Sequence, residues 1–194
     1  VFFNRLDLFQ KSQRCIGILK RLDINRRPVY FIENTNPLEK RSGTDMKEGT
    51  RRKIIEAGAR IIHQKGYNHT GIQEILKASG VPKGSFYFYF QNKEDFGIQV
   101  VAHYEQAYAE TVRPLLKDTA VSPLKRIQNV LDAYINHFET IGFSLGCPIG
   151  NLAQEMGDLS PVFRQRIQQS VHRMVDFYES ILQEAQEMGV MPLR

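Results

Sequence analysis

The chain has 194 residues, of which 42% are hydrophobic and 24% charged, a composition of ordinary globular proteins that allows one core, or a small domain and a larger one. No apolar run approaches the roughly 18 residues that suggest a membrane span, and Val1-Phe2-Phe3-Asn4-Arg5 shows neither an apolar stretch nor a cleavage site of signal-peptide type. The net charge of +5 is unevenly spread: residues 1–46 and 47–97 carry +4 each, while residues 98–194 carry −3, so the front of the chain suits a polyanionic partner.

Residues 1–45 differ from the rest of the chain. Arg26-Arg27-Pro28 and Asn34-Thr35-Asn36-Pro37 are turn signals, and Ser42-Gly43-Thr44-Asp45 reads as a linker. A short helix over 16–24 and a short strand at Val29-Tyr30-Phe31-Ile32 are too small to form a core, so this segment is expected to be appended or mis-started, and poorly ordered. From Met46 the pattern is helical. Residues 51–64 place Ile54, Ile55, Ala57, Gly58, Ile61 and Ile62 on one stripe opposite charged residues, and Lys65-Gly66 ends that helix. Thr70 and Gln73 fit a capping box that opens a short helix at 71 to about 78. Ser79-Gly80-Val81-Pro82 is a turn, and residues 83–89 form a second short helix. A long helix runs over 92–113, with Pro114 expected to kink or end it. Helices at 124–141, 148–157 and 161–188 complete an all-α chain.

Two short helices around a glycine-bearing four-residue turn have the dimensions of a helix-turn-helix at residues 71–89, and geometry alone also fits a helical hairpin in any bundle. The content of the second helix, Lys83-Gly84-Ser85-Phe86-Tyr87-Phe88-Tyr89-Phe90, favours the DNA-binding reading. Small residues let its backbone approach base edges, lysine and two tyrosine hydroxyls supply phosphate donors, and the helix N-terminus attracts an anion. Nothing points to an enzyme. His63, His69, His103, His137 and His172 lack ligand spacing, and His63 and His172 read as helix-surface residues. Glu155 and Asp158, one turn apart, read as solvated. No phosphate loop, dinucleotide fingerprint or nucleophile elbow occurs, and neither a metal nor a cofactor is expected. Two cysteines far apart, Cys15 and Cys147, point to a reducing cytoplasm rather than a disulfide scaffold. Cys147 is expected to be a small buried apolar residue.

The motif residues resemble the DNA-binding domain of TetR-type repressors. The likeness starts at Thr50-Arg51-Arg52-Lys53-Ile54-Ile55-Glu56-Ala57 and passes through Lys65-Gly66-Tyr67, Thr70, Ile75, Gly80-Val81 and Lys83-Gly84-Ser85. It ends with Tyr87-Phe88-Tyr89-Phe90 and Asn92-Lys93-Glu94, covering 47–96 without a gap. By this resemblance, Gln73 reaches a base edge, with the donor and acceptor pair that suits adenine. Thr70, Lys83, Tyr87, Tyr89 and Lys93 fall at phosphate contacts, and Gly84 and Ser85 lie nearest the bases. Phe86 and Phe90 read as core, and Phe88 is open between core and DNA face. Gly71, where a hydroxyl residue is common, and Pro82, in place of the usual serine, each remove a hydrogen bond worth about 1 kcal/mol.

The resemblance further implies a DNA-binding domain over 46–96 and a helical ligand-binding and dimerising domain over 97–194. Tyr104, Tyr108, Phe138, Phe143, Cys147, Met156, Phe163, Phe177 and Tyr178 are the positions from which a pocket would be built. The run Gly146-Cys147-Pro148-Ile149-Gly150-Asn151-Leu152-Ala153-Gln154-Glu155 resembles a subgroup of these regulators, some of which respond to electrophiles or unsaturated acids, which opens a second reading of Cys147 as a reactive thiol. The sequence stops where the family usually adds two more helices for dimerisation, so the regulatory domain is expected to be short. The implied function is a cytoplasmic, homodimeric repressor bound to a palindromic double-stranded operator, without membrane attachment, and released by a small-molecule inducer. The alternative is a truncated relative that binds DNA weakly or acts only as an interaction protein.

Overall fold

The computed structural model describes residues 43–192, and the readings made for 1–42, including Cys15, lie outside them. Seven α-helices follow in order: α1 Gly43–Lys65, α2 Ile72–Ser79, α3 Phe86–Tyr89, α4 Lys93–Leu116, α5 Pro123–Thr140, α6 Pro148–Met156 and α7 Pro161–Glu187. A 3-10 turn, Lys83–Ser85, leads into α3. No strand occurs among the described residues.

α1 begins earlier than its apolar stripe suggests, and Gly43-Thr44-Asp45, read as linker, is helical. An ion pair between Arg51 and Glu48 at 2.9 Å supports the first turns, where an acidic side chain also complements the helix dipole. α4 likewise runs past Pro114. A proline in the last turn forfeits only its own N–H bond, and the carbonyl of Leu116 beyond it accepts from the Arg126 guanidinium at 3.2 Å. Asn92 caps the start of α4 by accepting from the Asp95 N–H at 2.8 Å. The capping box at Thr70 does not form. Gly71 is the N-cap of α2, with extended backbone and no side-chain bond, and the Thr70 hydroxyl instead donates to Gly66 O at 2.6 Å.

Two apolar clusters hold the bundle. The larger joins Ile54, Ile62 and Tyr67 of the front segment, Ile75, Phe86 and Phe90 of the motif, and Phe96, Val100 and Tyr104 of α4 to Ile149, Leu152, Met156 and Phe163 of α6 and α7. Phe86, Phe90 and Phe96 form a triangle with ring centres 5.0 to 5.5 Å apart. Fully burying each such ring contributes roughly 2–3 kcal/mol. This core crosses residue 96, where the expected domain boundary falls, and joins the turn before the motif and α4 to α6 and α7. The smaller cluster packs Val112, Leu116, Val130, Ala133 and Ile181 between α4, α5 and α7.

Candidate nucleic-acid interface and effector cleft

α2 and the turn-plus-α3 element are positioned by what they bury. Ile75 and Leu76 pin α2, and Gly80, with φ of +67° and its N–H on Lys77 O, turns the chain. On the second element Phe86 and Phe90 are fully buried, while Tyr87 and Phe88 are 67% and 65% exposed. The aromatic run thus splits: Phe86 and Phe90 anchor the element, and Tyr87 and Phe88 between them face solvent. Phe88 belongs to the outer face, with the Lys47 ammonium 5.3 Å from its ring centre. Gln73, by contrast, is exposed on α2, as are Lys83 and Gly84 on the second element, and Ser85 and Tyr89 are half-buried. Nothing lies within 4 Å of a Cβ built on Gly71 or Gly84.

Two expected phosphate contacts are placed differently. Thr70 is buried, with 1% exposure and its hydroxyl committed to Gly66, so its side chain is turned away from the outer face. Lys93 is half-buried, donating to Tyr67 O at 2.8 Å with its ammonium 4.4 Å from the Tyr67 ring centre. Burial lowers its pKa and the Glu155 charge acts against that. Burial also pushes the Tyr67 phenol up to about 12, helped by the charges of Glu94 and Glu155.

Glu155 is the residue that sequence reasoning missed. It is half-buried, and its carboxylate accepts from the N–H of Tyr67 at 2.6 Å and of Asn68 at 2.7 Å, fastening α6 to the turn that leads into the motif. Gly66, at φ +88°, leaves room for it, since a Cβ there would come within 2.9 Å of Glu155 Oε2. The only sequence signal was the distinctive run at 146–155. His63 was read as a surface residue but is buried, and its Nε2 donates to Gly146 O at 3.0 Å. α6 and the corner before it are therefore each tied to the front of the bundle.

The expected ligand positions scatter. Tyr104, Met156 and Phe163 are buried in the large core, and the Tyr104 hydroxyl donates to Ala59 O at 2.5 Å. Phe143 is exposed, in a corner where both it and Leu145 adopt positive φ of 55° and 69°. Cys147 is exposed rather than buried, as the N-cap of α6, accepting from Gly150 N–H at 3.4 Å. Tyr108, Tyr134 and Phe138 stack in series with ring centres 6.4 and 6.5 Å apart, and the Tyr108 hydroxyl donates to that of Tyr178 at 3.1 Å. Burial raises the pKa of both phenols. Tyr108 and Phe177 line a cleft of about 720 Å³ between α4 and α7 that also reaches Ile149 of α6, a size suited to a small organic molecule.

No helix among the described residues is long and apolar enough to cross a membrane, and no group of three or more His, Cys, Asp or Glu there is placed to hold a metal ion.

Comparison with known proteins agrees with this architecture. The family described as bacterial regulatory proteins, tetR family, matches residues 54–98, and the tetracyclin repressor-like C-terminal domain matches residues 123–192. The transcriptional regulator AcuR of Cereibacter sphaeroides is 41% identical over 111 residues, 57% of this chain and 51% of that protein, so the match spans about half its length. The HTH-type transcriptional repressor DhaR of Mycobacterium sp. strain GP1 is 35% identical over 72% of this chain and 68% of its own. The crystal structure of regulatory protein TetR from Rhodobacter sphaeroides superposes with a TM-score of 0.67 at 36% identity, covering 72% of this chain and 74% of that one. This chain belongs to the TetR family of bacterial regulatory proteins.

Proposed function

We propose that the chain is a cytoplasmic transcriptional repressor. Its second short helix enters the major groove of a palindromic operator, and an organic effector in the α4–α7 cleft releases it. The carrying observation is the division of the 86–90 run, with Phe86 and Phe90 in the core and Tyr87 and Phe88 outside, beside exposed Lys83 and Gly84 and an outward Gln73 on α2. Lys83, Tyr87 and Tyr89 supply phosphate donors. Gln73 and Ser85 read base edges, and Gly84 lets the backbone close on the duplex. Two copies presenting the motif one helical turn of DNA apart would multiply a weak single-site affinity. The exposed Val171 and Val175, one turn apart on α7, support contact with a second copy.

α6 supports the release step. Ile149 near its start lines the cleft, and Glu155 near its end holds the turn before the motif, about 9 Å further along at 1.5 Å per residue. A short rigid helix moved by an occupant at Ile149 carries Glu155 with it. The test is anisotropy of labelled DNA from the intergenic region upstream of the gene, against scrambled DNA, as a function of salt. A specific shift by a dimer bears the reading out. A monomer that binds only non-specifically and with steep salt dependence defeats it in favour of a non-regulatory relative.

A further inference from the structure

Residues 98–194 contain eight Lys and Arg against eleven Asp and Glu, yet the α4–α7 cleft inverts that balance. Arg113, Lys117 and Arg173 line it, and Arg166 stands directly behind Glu105; the acids at its wall are Glu105 and Glu110. Half the cations of an acidic segment therefore gather at one cleft with two of its eleven carboxylates.

The arrangement within the cleft sharpens this. Glu105 is shared by two guanidiniums, those of Arg166 and Arg173. Burial would raise its pKa, but its bonds with Arg166, Ser170 and Arg173 prevail and hold it down at about 2, so it stays ionised and one guanidinium charge is left over. Toward the far end, Arg113 in the last turn of α4 and Lys117, which caps that helix, form no ion pair among the described residues. They sit near the helix C-terminus, whose dipole of about −0.5 of a charge, together with the Glu110 carboxylate in the same wall, does not offset both. Between the charged groups the surface is apolar, formed by Tyr108, Val112, Leu116, Ile149, Met174 and Phe177. Along α4 the lining runs from Ala102 to Leu116, a span of about 21 Å at 1.5 Å per residue. The space is long, greasy along its length and cationic at its margins.

We propose that this cleft binds an amphipathic organic anion: an extended apolar body carrying a carboxylate, sulfate or similar group that meets Arg113 and Lys117. This rests on reading the cleft as the effector site and names the chemistry of the effector. The apolar body supplies affinity through burial against α4 and α7, and the anionic group selects among apolar molecules because the excess cations reward it alone.

The test is isothermal calorimetry of the full chain, below micellar concentrations, with decanoate, decyl sulfate, decanol and decylammonium, each also added to the protein–DNA complex. Both anions are expected to bind at least tenfold more tightly than decanol, and decylammonium to be weakest. R113Q/K117Q should lose about tenfold for the anions and nothing for decanol, with an unchanged thermal midpoint. R113E/K117E should reverse the order in favour of decylammonium. Equal binding of decanol and decanoate, retained anion affinity in R113Q/K117Q, or no binding by any probe overturns the proposal. Anions that bind yet leave DNA bound defeat the effector reading while the anion site stands. Release of DNA by decanol but not by the anions defeats the anion assignment while the effector reading stands.

Discussion

The carboxylate of Glu155 is bonded to the backbone N–H groups of Tyr67 and Asn68, at 2.6 and 2.7 Å, across 88 and 87 residues of sequence. Both amides belong to the turn after α1, where intrahelical partners have run out, so one side chain on α6 satisfies two donors of the segment that aims the helix-turn-helix. Around it, the Tyr67 ring meets Phe163 edge to face at 4.9 Å, and Lys93 closes on the Tyr67 carbonyl.

Charge-assisted hydrogen bonds of this kind contribute about 1.5–3 kcal/mol each at most, and less when partly solvated. Glu155→Ala is therefore expected to cost on the order of 2 kcal/mol, lowering the thermal midpoint by about 5 °C for a chain of this size. Glu155→Gln keeps an oxygen acceptor and should lose roughly half as much. Hydrogen exchange supplies the local readout: the Tyr67 and Asn68 amides should exchange faster in Glu155→Ala while those in the middle of α4 change little. Unchanged protection at both amides would show that the clamp is not held in solution.

Two glycines separate folding from DNA contact. At Gly97 an added Cβ would overlap Phe163 Cζ and lie 2.7 Å from Tyr67 Cε2, whereas at Gly84 it would meet nothing within 4 Å. Gly97→Ala should therefore destabilise the protein by about 1–3 kcal/mol through overpacking. Gly84→Ala should leave the thermal midpoint unchanged or slightly raised, since alanine favours the helix by up to ~1 kcal/mol. Its DNA affinity should nevertheless fall by about tenfold, because the methyl group would occupy the space proposed for the duplex. A Gly84→Ala protein with undiminished affinity for its operator would remove this stretch from the interface.

How much of the fold and the site was legible in the sequence depended on whether the signal was local. Periodicity together with cap and turn signals located the helices from α2 to α7, and the likeness to TetR-type repressors assigned Phe86 and Phe90 to the core while leaving Phe88 open. Errors arose where a tertiary partner overrode a local rule. Thr70 has the right spacing from Gln73 for a capping box, yet its hydroxyl found Gly66 O. His63 and Glu155 look like surface residues on their own helices, but the partners that bury or bind them lie 83 and 88 residues away. The aromatic content of the back half could not say which rings face a cavity. Tyr104, Met156 and Phe163 went to the core shared with the motif, and Tyr108 and Phe177 to the cleft.

Phe88 is a large apolar side chain left 65% exposed on the outer face of the motif, with no hydroxyl to meet a phosphate. An apolar ring there suits the methyl group of thymine or the face of a sugar. Phe88→Ala should leave stability within about 0.5 kcal/mol, as expected of an exposed site, and cost on the order of 1–2 kcal/mol of operator binding, concentrated at one base-pair position. Phe86→Ala, by contrast, should cost about 3–5 kcal/mol of stability. Anisotropy on a panel of operator variants decides: a loss at Phe88→Ala that is equal on every sequence would make it a backbone contact instead.

Three histidines give the fold an acid-sensitive component. Burial lowers the pKa of His63, although the carbonyls of Gly146 and Leu145 act against it. Burial likewise lowers His103, with Glu56 and Glu110 opposing and Arg52 assisting, and it lowers His137, with a further push from His63. Each folded-state pKa lies below the ordinary 6.5, so as pH falls through that value the unfolded chain takes up protons before the folded one does. Stability is therefore full above the unfolded-state pKa and declines as pH drops toward the folded values. His103 isolates the effect, since its Nε2 is buried without a hydrogen-bond partner among the described residues. His103→Leu removes both the titration and the unsatisfied atom. Thermal midpoints measured from about pH 7.5 to about pH 5.5, which bracket the ordinary histidine pKa, should fall less steeply in His103→Leu than in the unaltered protein, from an equal or higher starting value. Parallel curves would assign the acid sensitivity to groups other than His103.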